Sequence, residues 1–321
     1  MKAITVEPKK AGSVLLEEVA EPDEREGSVL VEGIAVGVCG TDVEIVEGNY
    51  GWAPPGGTRL VLGHESLGRV LDPGQKGGLK EGDLVVGIVR RPDPVPCPNC
   101  AVGEWVEPEY VVKVDRSLGL LGVLIEPTTV VAKAWEQITA IGQRAFWELR
   151  TVLVTGAGPI GLLAAMLGKQ KGFDVHVLDR ADSGPKPELV RALGATYHSG
   201  SVANIGFEPD IIVECTGVGS VISESIRVIG AGGVICLTGV GHGGGASESD
   251  SAAAAVLKNN VIVGSVNANK RHWYKASEAL SRADPAWLAK LVTRREQPAN
   301  FKNALQRKPD DIKVIIQFAE A

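Results

Sequence analysis

The apolar and polar residues in the first third of the chain favour a two-residue period. Residues 28–38 alternate between the two types, and shorter apolar stretches follow at 67–71 and 83–89. Gly, Pro or Asp residues bound these stretches, as is usual for short strands joined by tight turns. The pattern predicts an all-β first part, ending at about residue 115, in the form of a small, partly open barrel.

The period lengthens beyond residue 125. Residues 130–138 place apolar side chains at helical spacing, and from residue 151 onward apolar strands alternate with helical segments. Near-continuous apolar strands separated by helices specify a parallel sheet that is covered on both faces. The predicted strands are 151–154, 174–178, 210–215, 233–237 and 260–265, and the predicted helices between them are 160–171, 187–193 and 220–229.

The two patterns together predict an α/β protein of two domains, which a chain of 321 residues is long enough to form. Residues 136–267 are predicted to form a doubly wound parallel sheet. Residues 1–135 and 268–321 are predicted to form the other domain, because the tail returns to a strand at 311–318 after a helix at 274–281.

Composition narrows the class of protein. A hydrophobic fraction of 44% and a charged fraction of 22% are those of a globular protein, and a net charge of −6 argues against nucleic-acid binding. The longest apolar stretch, 151–167, is interrupted by glycines and a proline, so no membrane span is expected.

The first residues lack a signal peptide's apolar core, which predicts a cytoplasmic protein. Five cysteines then favour metal binding or burial over disulfides.

A glycine-rich loop follows the predicted strand 151–154 and opens the next helix. Its residues are Gly156, Gly158, Pro159, Ile160 and Gly161. In this context the first glycine allows a tight turn, the second lets a pyrophosphate approach the backbone, and the third lets helix and strand pack closely. The phosphates would face the helix N-terminus. The loop therefore predicts a dinucleotide site, the alternative being a glycine turn shaped only for packing.

Asp179 and Arg180 bear on the choice of cofactor. Asp179 ends the next strand, 18 residues after Gly161, where a carboxylate can accept the ribose hydroxyls of NAD. The guanidinium of Arg180 could instead stack on adenine or bind a 2′-phosphate. NAD is favoured, and NADP is the second possibility.

Cys39, His64 and Glu65 offer a thiolate, an imidazole and a carboxylate near the front of the chain. These are the donors that zinc prefers, and a zinc with three protein ligands keeps a fourth position open for substrate. A lone cysteine is usually a small buried hydrophobe, and a lone His-Glu pair often lies in a surface turn. Because His64 is the only histidine before His176 and lies between two glycine-bounded strands, the group favours a metal site.

Glu126 is the best candidate for the third metal ligand. It ends an apolar run and is followed by Pro127, although a helix-start carboxylate favoured by the helix dipole is the alternative. Adjacent residues on a strand point to opposite faces, so His64 and Glu65 would not both be permanent ligands. Glu65 is expected to lie beside the metal or to be an exchangeable ligand.

These motifs resemble those of the zinc-dependent medium-chain alcohol dehydrogenases, and within that family the chain is most similar to the glucose 1-dehydrogenases of archaea and some bacteria. The resemblance runs from Met1 to Phe318 with one break. It implies a GroES-like catalytic domain and a Rossmann domain. The matching motifs are Cys39-Gly-Thr-Asp42, Leu62-Gly-His-Glu65, Arg90-Arg91 ahead of Cys97-Pro-Asn-Cys100, Glu126-Pro127, the Gly156 loop and Val266-Asn267.

The resemblance also implies roles for single residues. Cys39, His64 and Glu126 would bind one catalytic zinc with Glu65 nearby, and Thr41 would begin a proton relay. Asn267 would contact sugar hydroxyls. The zinc would lower the pKa of the anomeric hydroxyl, Thr41 would pass the proton outward, and hydride would move from C1 to the nicotinamide. The candidate substrate residues are Thr41, Glu65, Glu126 and Asn267, and Thr216, Thr238 and Asn267 complete the candidate cofactor-binding set.

The break in the resemblance follows Cys97 and Cys100. Relatives supply further structural-zinc ligands soon after this pair, whereas here the chain runs directly into the strand 111–114. Two thiolates do not close a tetrahedral site, so the structural zinc is expected to be absent. A redox role for Cys97 and Cys100 is the alternative, but the thioredoxin-like sequence context that usually accompanies such a pair is missing.

The sequence therefore predicts an NAD(P)-dependent, zinc-assisted oxidation of an aldose, with glucose as substrate, to the aldonolactone. One alternative is a polyol or alcohol dehydrogenase whose substrate pocket is reopened because the segment after Cys100 is shorter than in the relatives. A cofactor-binding protein without turnover is the other. By analogy the protein is expected to be a homodimer or homotetramer, with no nucleic-acid or membrane partner.

Overall fold

A computed structural model describes residues 1–20, 29–74, 78–88, 110–144, 146, 148–240 and 248–321. In chain order the strands are β1 (Lys2–Val6), β2 (Leu15–Glu18), β3 (Leu30–Val38), β4 (Leu60–Val61), β5 (Glu65–Asp72), β6 (Leu84–Gly87), β7 (Val111–Lys113), β8 (Thr151–Thr155), β9 (Asp174–Asp179), β10 (Thr196–Ser199), β11 (Ile211–Glu214), β12 (Val234–Leu237), β13 (Val261–Gly264), β14 (Val292–Glu296) and β15 (Lys313–Gln317). The α-helices are α1 (Gly40–Val46), α2 (Ile125–Gly142), α3 (Pro159–Gln170), α4 (Pro185–Ala192), α5 (Gly219–Val228), α6 (Glu248–Leu257), α7 (Lys270–Ser281), α8 (Pro285–Leu291) and α9 (Phe301–Leu305).

The chain forms two compact units. Unit 1 contains residues 1–126 and 288–321, and unit 2 contains residues 127–287. The second segment of unit 1 supplies β14 and β15, so this unit is built from two separate segments of the chain. The domain bounds predicted from the sequence, 1–135 with 268–321 for one domain and 136–267 for the other, stay a prediction.

Unit 2 is built on a six-stranded sheet in the order β10-β9-β8-β11-β12-β13, with every neighbouring pair parallel. The strand order reverses between β8 and β11, and in doubly wound sheets ligands bind outside the carboxyl ends of the strands at such a reversal. The register pairs Thr155 with Glu214, so the loops that follow these two residues start side by side. Buried Leu153, Ile212 and Ile235 lie in the core of this sheet.

The described residues of unit 1 form two sheets. A six-stranded sheet has the order β14-β15-β3-β5-β6-β7, and a three-stranded sheet has the order β2-β1-β4. Side chains from β1, β15 and α9, among them Ile4, Val314 and Phe301, form a shared core. In the larger sheet β3 pairs with both β5 and β15, and the register places Gly37 opposite Glu65. The pairing of β3 with β5 therefore places the C-terminal end of β3 beside the N-terminal end of β5.

The predicted strands and helices of residues 151–265 occur in the structure with their ends moved by a few residues at most. The all-β prediction for the first part missed α1, which begins directly after Cys39. The backbone N–H of Cys39 donates to the Asp42 carboxylate, and a first-turn carboxylate of this kind stabilises a helix start. Seven residues are too few for a recognisable apolar stripe.

Among the described residues, 116–142 has the length and hydropathy of a membrane-crossing helix, and 72% of its most apolar window is buried inside the protein. Trp135 and Ile138 on α2 are completely or almost completely buried. The apolar character of this stretch is therefore accounted for by packing in the core.

Candidate metal centre and dinucleotide loop

One cluster of metal-ligating side chains is found within the described ranges. The ligand atoms of Cys39, His64 and Glu65 all lie within 4.8 Å of one another. Cys39 is the residue between β3 and α1, whereas His64 directly precedes β5 and Glu65 begins it. The cluster therefore depends on the antiparallel pairing of β3 with β5, which brings Gly37 beside Glu65. Thr41 lies close by, with its Oγ1 4.0 Å from Cys39 Sγ.

Asp42 contacts two members of this cluster and had no predicted role. Its Oδ2 accepts the backbone N–H of Cys39 at 2.9 Å, and its Oδ1 lies 3.3 Å from Nδ1 of His64. Asp42 is only 4% exposed. Its position three residues after the helix-capping Cys39 is the signal that could have identified it.

The electrostatic environment of His64 is dominated by anionic neighbours. Burial acts to lower the pKa of His64, but the contacts with Asp42 and Cys39, together with the charge of Glu126, raise that pKa to about 11. The same concentration of anionic donors that holds a proton on the imidazole would favour a cation in its place.

Glu65 is paired with Lys313, a residue that the sequence analysis did not single out. The Lys313 ammonium lies 2.7 Å from Oε1 and 2.6 Å from Oε2 of Glu65, and it lies 3.3 Å from the carbonyl oxygen of Val38. A Cβ atom on Gly37 would come within 2.0 Å of Glu65 Oε2. The carboxylate therefore occupies space that only a glycine at position 37 leaves open.

Glu126 lies in the first turn of α2 and is not a member of the three-residue cluster. Burial and the negative charge of Glu65 raise the pKa of Glu126 to about 7, while His64 and Lys313 oppose that rise. These interactions place the Glu126 carboxyl in the same electrostatic environment as His64 and Glu65.

The residues present fit a zinc ion. A thiolate, an imidazole and a carboxylate are a usual zinc donor set. The buried Oδ1 of Asp42 faces Nδ1 of His64 at 3.3 Å and has no hydrogen bond to any other residue that the structure describes. Ligating histidines normally donate their second ring N–H to such a carboxylate, so Asp42 is suited to orient His64. Cys97 and Cys100, where the second zinc was predicted to be absent, lie outside the described residues.

In unit 2 the glycine loop has the shape that a pyrophosphate requires. Gly156 has φ +90°, and a Cβ on Gly161 would lie 1.8 Å from the carbonyl oxygen of Gly156. A Cβ on Gly158 would meet nothing within 4 Å, so this part of the loop is open to a ligand. Pro159 begins α3 directly behind the loop, and Ile160 follows it. Backbone N–H groups at this helix start suit an anionic phosphate.

Asp179 lies at the end of β9 and contacts the glycine loop. Its Oδ2 accepts the backbone N–H of Ala157 at 2.7 Å, and its Oδ1 accepts that of Ala181 at 3.2 Å. Nζ of Lys186, in the first turn of α4, lies 3.3 Å from both oxygens. Arg180 is exposed. Asp179 and Arg180 were predicted from the sequence but Lys186 was not, because only the fold brings α4 back to the end of β9.

Glu214 anchors the loop after β11. Its fully buried carboxylate accepts the backbone N–H of Thr216 at 2.7 Å and that of Gly217 at 3.1 Å, and it also accepts hydroxyl hydrogen bonds from Thr155 and Thr216. A Cβ on Gly156 would lie 3.0 Å from the Thr216 methyl group. Glu214 thus fixes the loop that borders the glycine turn.

Thr238 and Asn267 follow the next two strands of the same sheet. The Thr238 hydroxyl donates to the Glu214 carbonyl oxygen at 2.9 Å and lies 3.3 Å from Cys215 Sγ. Asn267 has φ +58°, an uncommon conformation for a residue other than glycine. Nζ of the buried Lys133 donates to the Val266 carbonyl oxygen at 2.9 Å, which holds the loop beside Asn267 in place.

Two protein-family profiles match the chain. The profile described as the glucose dehydrogenase C-terminus matches residues 119–318. The profile described as the alcohol dehydrogenase GroES-like domain matches residues 25–140. The first of these alone covers more than half of the chain. The second profile and the parallel sheet of unit 2 together confirm the predicted combination of a GroES-like domain with a Rossmann sheet.

Curated relatives and solved structures agree with these matches. The chain is 40% identical to glucose 1-dehydrogenase 2 of Vulcanisaeta moutnovskia, with 100% of both chains covered. It is 36% identical to glucose 1-dehydrogenase 1 of Caldivirga maquilingensis, with 99% of both covered. The structure resembles Haloferax mediterranei glucose dehydrogenase in complex with NADP, Zn and gluconolactone, with a TM-score of 0.88, 30% identity and full coverage of both chains.

Proposed function

Because the chain belongs to the zinc-dependent medium-chain dehydrogenases related to glucose 1-dehydrogenase, we propose that it oxidises the C1 hydroxyl of an aldose, D-glucose in the first place, to the aldonolactone with NAD or NADP as the acceptor. The observation that carries this proposal is the convergence of Cys39, His64 and Glu65. The same chain has a glycine loop suited to a dinucleotide. In this proposal residues 1–135 and 268–321 carry the catalytic centre, and 136–267 bind the nucleotide.

In the proposed centre Cys39, His64 and Glu126 hold the zinc. When bound, zinc would supply a Lewis acid at the C1 hydroxyl oxygen, and the nicotinamide would accept the hydride. Asp42 keeps the His64 ring in one orientation, and Lys313 keeps the Glu65 carboxylate beside the centre. Thr41 accepts the proton of the substrate hydroxyl and passes it outward, which its position 4.0 Å from Cys39 Sγ supports.

In the proposed nucleotide site Gly156 and Gly158 leave room for the pyrophosphate, and Gly161 lets the helix pack against the turn, with Pro159 and Ile160 at the start of that helix. Asp179 and Arg180 contact the adenosine ribose. Thr216, Thr238 and Asn267 follow strands whose carboxyl ends face the cofactor, and Asn267 also contacts sugar hydroxyls. The position of Asn267 after β13, at the same edge of the sheet as the glycine loop after β8, supports this role.

The experiment that tests the proposed function measures zinc content and NAD(P)-linked oxidation of glucose, other aldoses, polyols and simple alcohols. We expect about one zinc per chain, assuming a single metal centre, and turnover of aldoses. Turnover of alcohols or polyols without aldoses would identify a related dehydrogenase with a different pocket. Protein without zinc that turns over no substrate would contradict the enzyme hypothesis and leave a cofactor-binding protein.

The Cys39→Ser variant tests the metal ligand directly. It is expected to lose zinc and turnover while keeping the thermal unfolding midpoint of the metal-free parent, since Cys39 is only half-buried. Cys236→Ala removes a thiol from the core of unit 2 instead and is the matched control, which should retain zinc. Full zinc content and activity in Cys39→Ser would refute the assignment.

We further propose that the protein is a cytoplasmic homodimer or homotetramer. A reducing compartment preserves the thiolate that Cys39 must supply. Strand β13 is an edge of the unit 2 sheet, and its Ile262 is 40% exposed, which supports association along this edge. Light scattering at micromolar concentration would show a monomer if this part of the proposal is wrong.

A further inference from the structure

An ammonium group lies against the carboxylate that is expected to bind the cofactor ribose. Nζ of Lys186 is 3.3 Å from each oxygen of Asp179, and the two side chains are 16% and 13% exposed. Burial acts to raise the pKa of Asp179, but the Ala157 N–H and the charge of Lys186 outweigh it and lower that pKa. Asp179 is therefore ionised, and the ammonium of Lys186 compensates its negative charge.

The Asp179–Lys186 pair changes which form of the cofactor ribose the site can bind. An Asp at the end of the second strand of a dinucleotide fold accepts ribose hydroxyls and, as an uncompensated anion, repels a phosphate on the same ribose. Lys186 removes this repulsion. An ammonium has three donors and no acceptor, so a Lys186 shared between the two Asp179 oxygens retains capacity for a phosphate oxygen.

The position of Lys186 is restricted by the local backbone. It belongs to the first turn of α4, between Pro185 and Pro187, where the backbone is restricted. Asp179 is held by the Ala157 and Ala181 N–H groups, so it supplies a fixed partner for the ammonium. The pair is thus a built feature of the end of β9 and not a chance contact between two exposed side chains.

We propose that Lys186 is a cofactor-selecting residue, which pairs with Asp179 so that the site accepts the 2′-phosphate of NADP while still accepting the ribose of NAD. This inference rests on the proposed use of a nicotinamide dinucleotide. It goes beyond that proposal by assigning the choice between the two cofactors to one ion pair. Arg180, which is exposed, has the secondary role.

The experiment compares two fragments that differ only in the 2′-phosphate. Calorimetry on the full chain measures the dissociation constants of 2′,5′-ADP and of ADP, with no sugar and no turnover. Lys186→Met is expected to lower the affinity for 2′,5′-ADP relative to ADP by about tenfold, the usual effect of one charged hydrogen bond to phosphate. Lys186→Arg, which keeps the charge, should stay within about threefold of the parent ratio.

Two further variants sharpen the result. Asp179→Asn removes the carboxylate but leaves the ammonium, so the affinity for 2′,5′-ADP should rise relative to the affinity for ADP. Lys171→Met removes an exposed lysine of the same unit just after α3. A helix of 12 residues separates that position from the glycine loop by about 18 Å, so this control should leave the ratio unchanged.

The outcomes separate this inference from the proposed function. If Lys186→Met lowered the affinities for 2′,5′-ADP and ADP equally, or left both unchanged, the role of Lys186 would be overturned and the proposed use of a dinucleotide would still stand. A ratio that falls in Arg180→Met but not in Lys186→Met would also overturn it. If the parent protein bound neither fragment, both the selection by Lys186 and the proposed use of a dinucleotide would be wrong.

Discussion

Lys313 donates to both carboxylate oxygens of Glu65, at 2.7 and 2.6 Å, and each side chain is only 2% exposed. The pair joins β15 to β5 across β3, the strand that leads to Cys39. Burial acts to lower the pKa of Lys313, but the negative charges of Glu65 and Cys39 outweigh it and raise that pKa. The ion pair is therefore a structural support of the metal centre as well as part of its charge.

Replacing Lys313 by Met should destabilise the protein by about 3–5 kcal/mol, because it leaves the buried Glu65 carboxylate without its cation. The double variant Lys313→Met with Glu65→Gln should recover part of this loss. The measurement is the free energy of unfolding in guanidinium. Lys302→Met, at an exposed position on α9, is the control and should change that free energy by less than about 0.5 kcal/mol. Equal stability of the Lys313 and Lys302 variants would contradict the prediction.

Asp42→Asn should lower zinc affinity by about 10- to 100-fold, because the amide is a poorer acceptor for the His64 ring N–H and for the Cys39 backbone N–H. Competition with a chromogenic chelator measures the affinity, and kcat should fall in parallel. Glu47→Gln, at the exposed end of α1, is the matched control. An Asp42→Asn protein with parental zinc affinity would show that Asp42 only caps the helix.

Much of the fold could be predicted from the sequence, since the apolar strands between Thr151 and Gly264 and the loop at Gly156 carry local signals. Cys39, His64 and Glu65 could be selected by their donor chemistry. Lys186 and Lys313 could not, because each acts through a partner that only tertiary folding supplies. The contacts of Asp42 with Cys39 and of Glu214 with Thr216 are local, whereas the contact of Asp42 with His64 depends on tertiary folding. Lys313 is 248 residues from Glu65 along the chain, a separation for which no local pattern exists.

Glu214→Gln should weaken NAD(P)H binding and lower stability by about 1–3 kcal/mol. The amide group replaces one acceptor oxygen and opposes one of the backbone N–H donors of Thr216 and Gly217. Fluorescence titration with NADH and NADPH measures the binding, and thermal unfolding measures the stability. Glu208→Gln, at a position whose side chain is 70% exposed, controls for the loss of one negative charge. Parental cofactor affinity in Glu214→Gln would show that the loop is held by other contacts.

Asn267 allows its backbone and its side chain to be tested separately. Asn267→Gly keeps the left-handed backbone without strain, whereas Asn267→Ala retains a Cβ there and should cost about 1 kcal/mol in stability. If the side chain contacts the sugar, both variants should raise the KM for glucose. A raised KM in the alanine variant alone would mean that the backbone conformation is the important feature.

The unfolding free energy should depend on Glu136 between about pH 4.5 and pH 2. The Arg271 guanidinium, helped by Lys275, lowers the pKa of Glu136 to about 2 from the ordinary 4.5, despite burial. A carboxyl whose pKa is lowered by folding contributes stability above its unfolded pKa and loses it as the pH falls through the folded value. Glu136→Gln should therefore cost about 1 kcal/mol at pH 7, after screening of the exposed partners.

Denaturation in urea at pH 7, 5, 4 and 3 measures this dependence, and the difference between the parent and Glu136→Gln should shrink steadily below pH 4.5. Glu278→Gln, which alters the exposed pair with Arg282, is the control and should show almost no difference at any pH. A difference that is constant over the whole range would mean that Glu136 stabilises the protein by packing and not by charge.

Gly37 shows that the absence of a side chain can be a structural requirement. Because a Cβ there would lie 2.0 Å from Glu65 Oε2, any larger residue would displace the carboxylate from Lys313 and from the side of the metal centre. The position carries no donor and no charge, and a search for chemically active residues passes over it. An engineer who redesigns this pocket for another substrate inherits a steric constraint in β3, one strand away from the residues that would usually be varied.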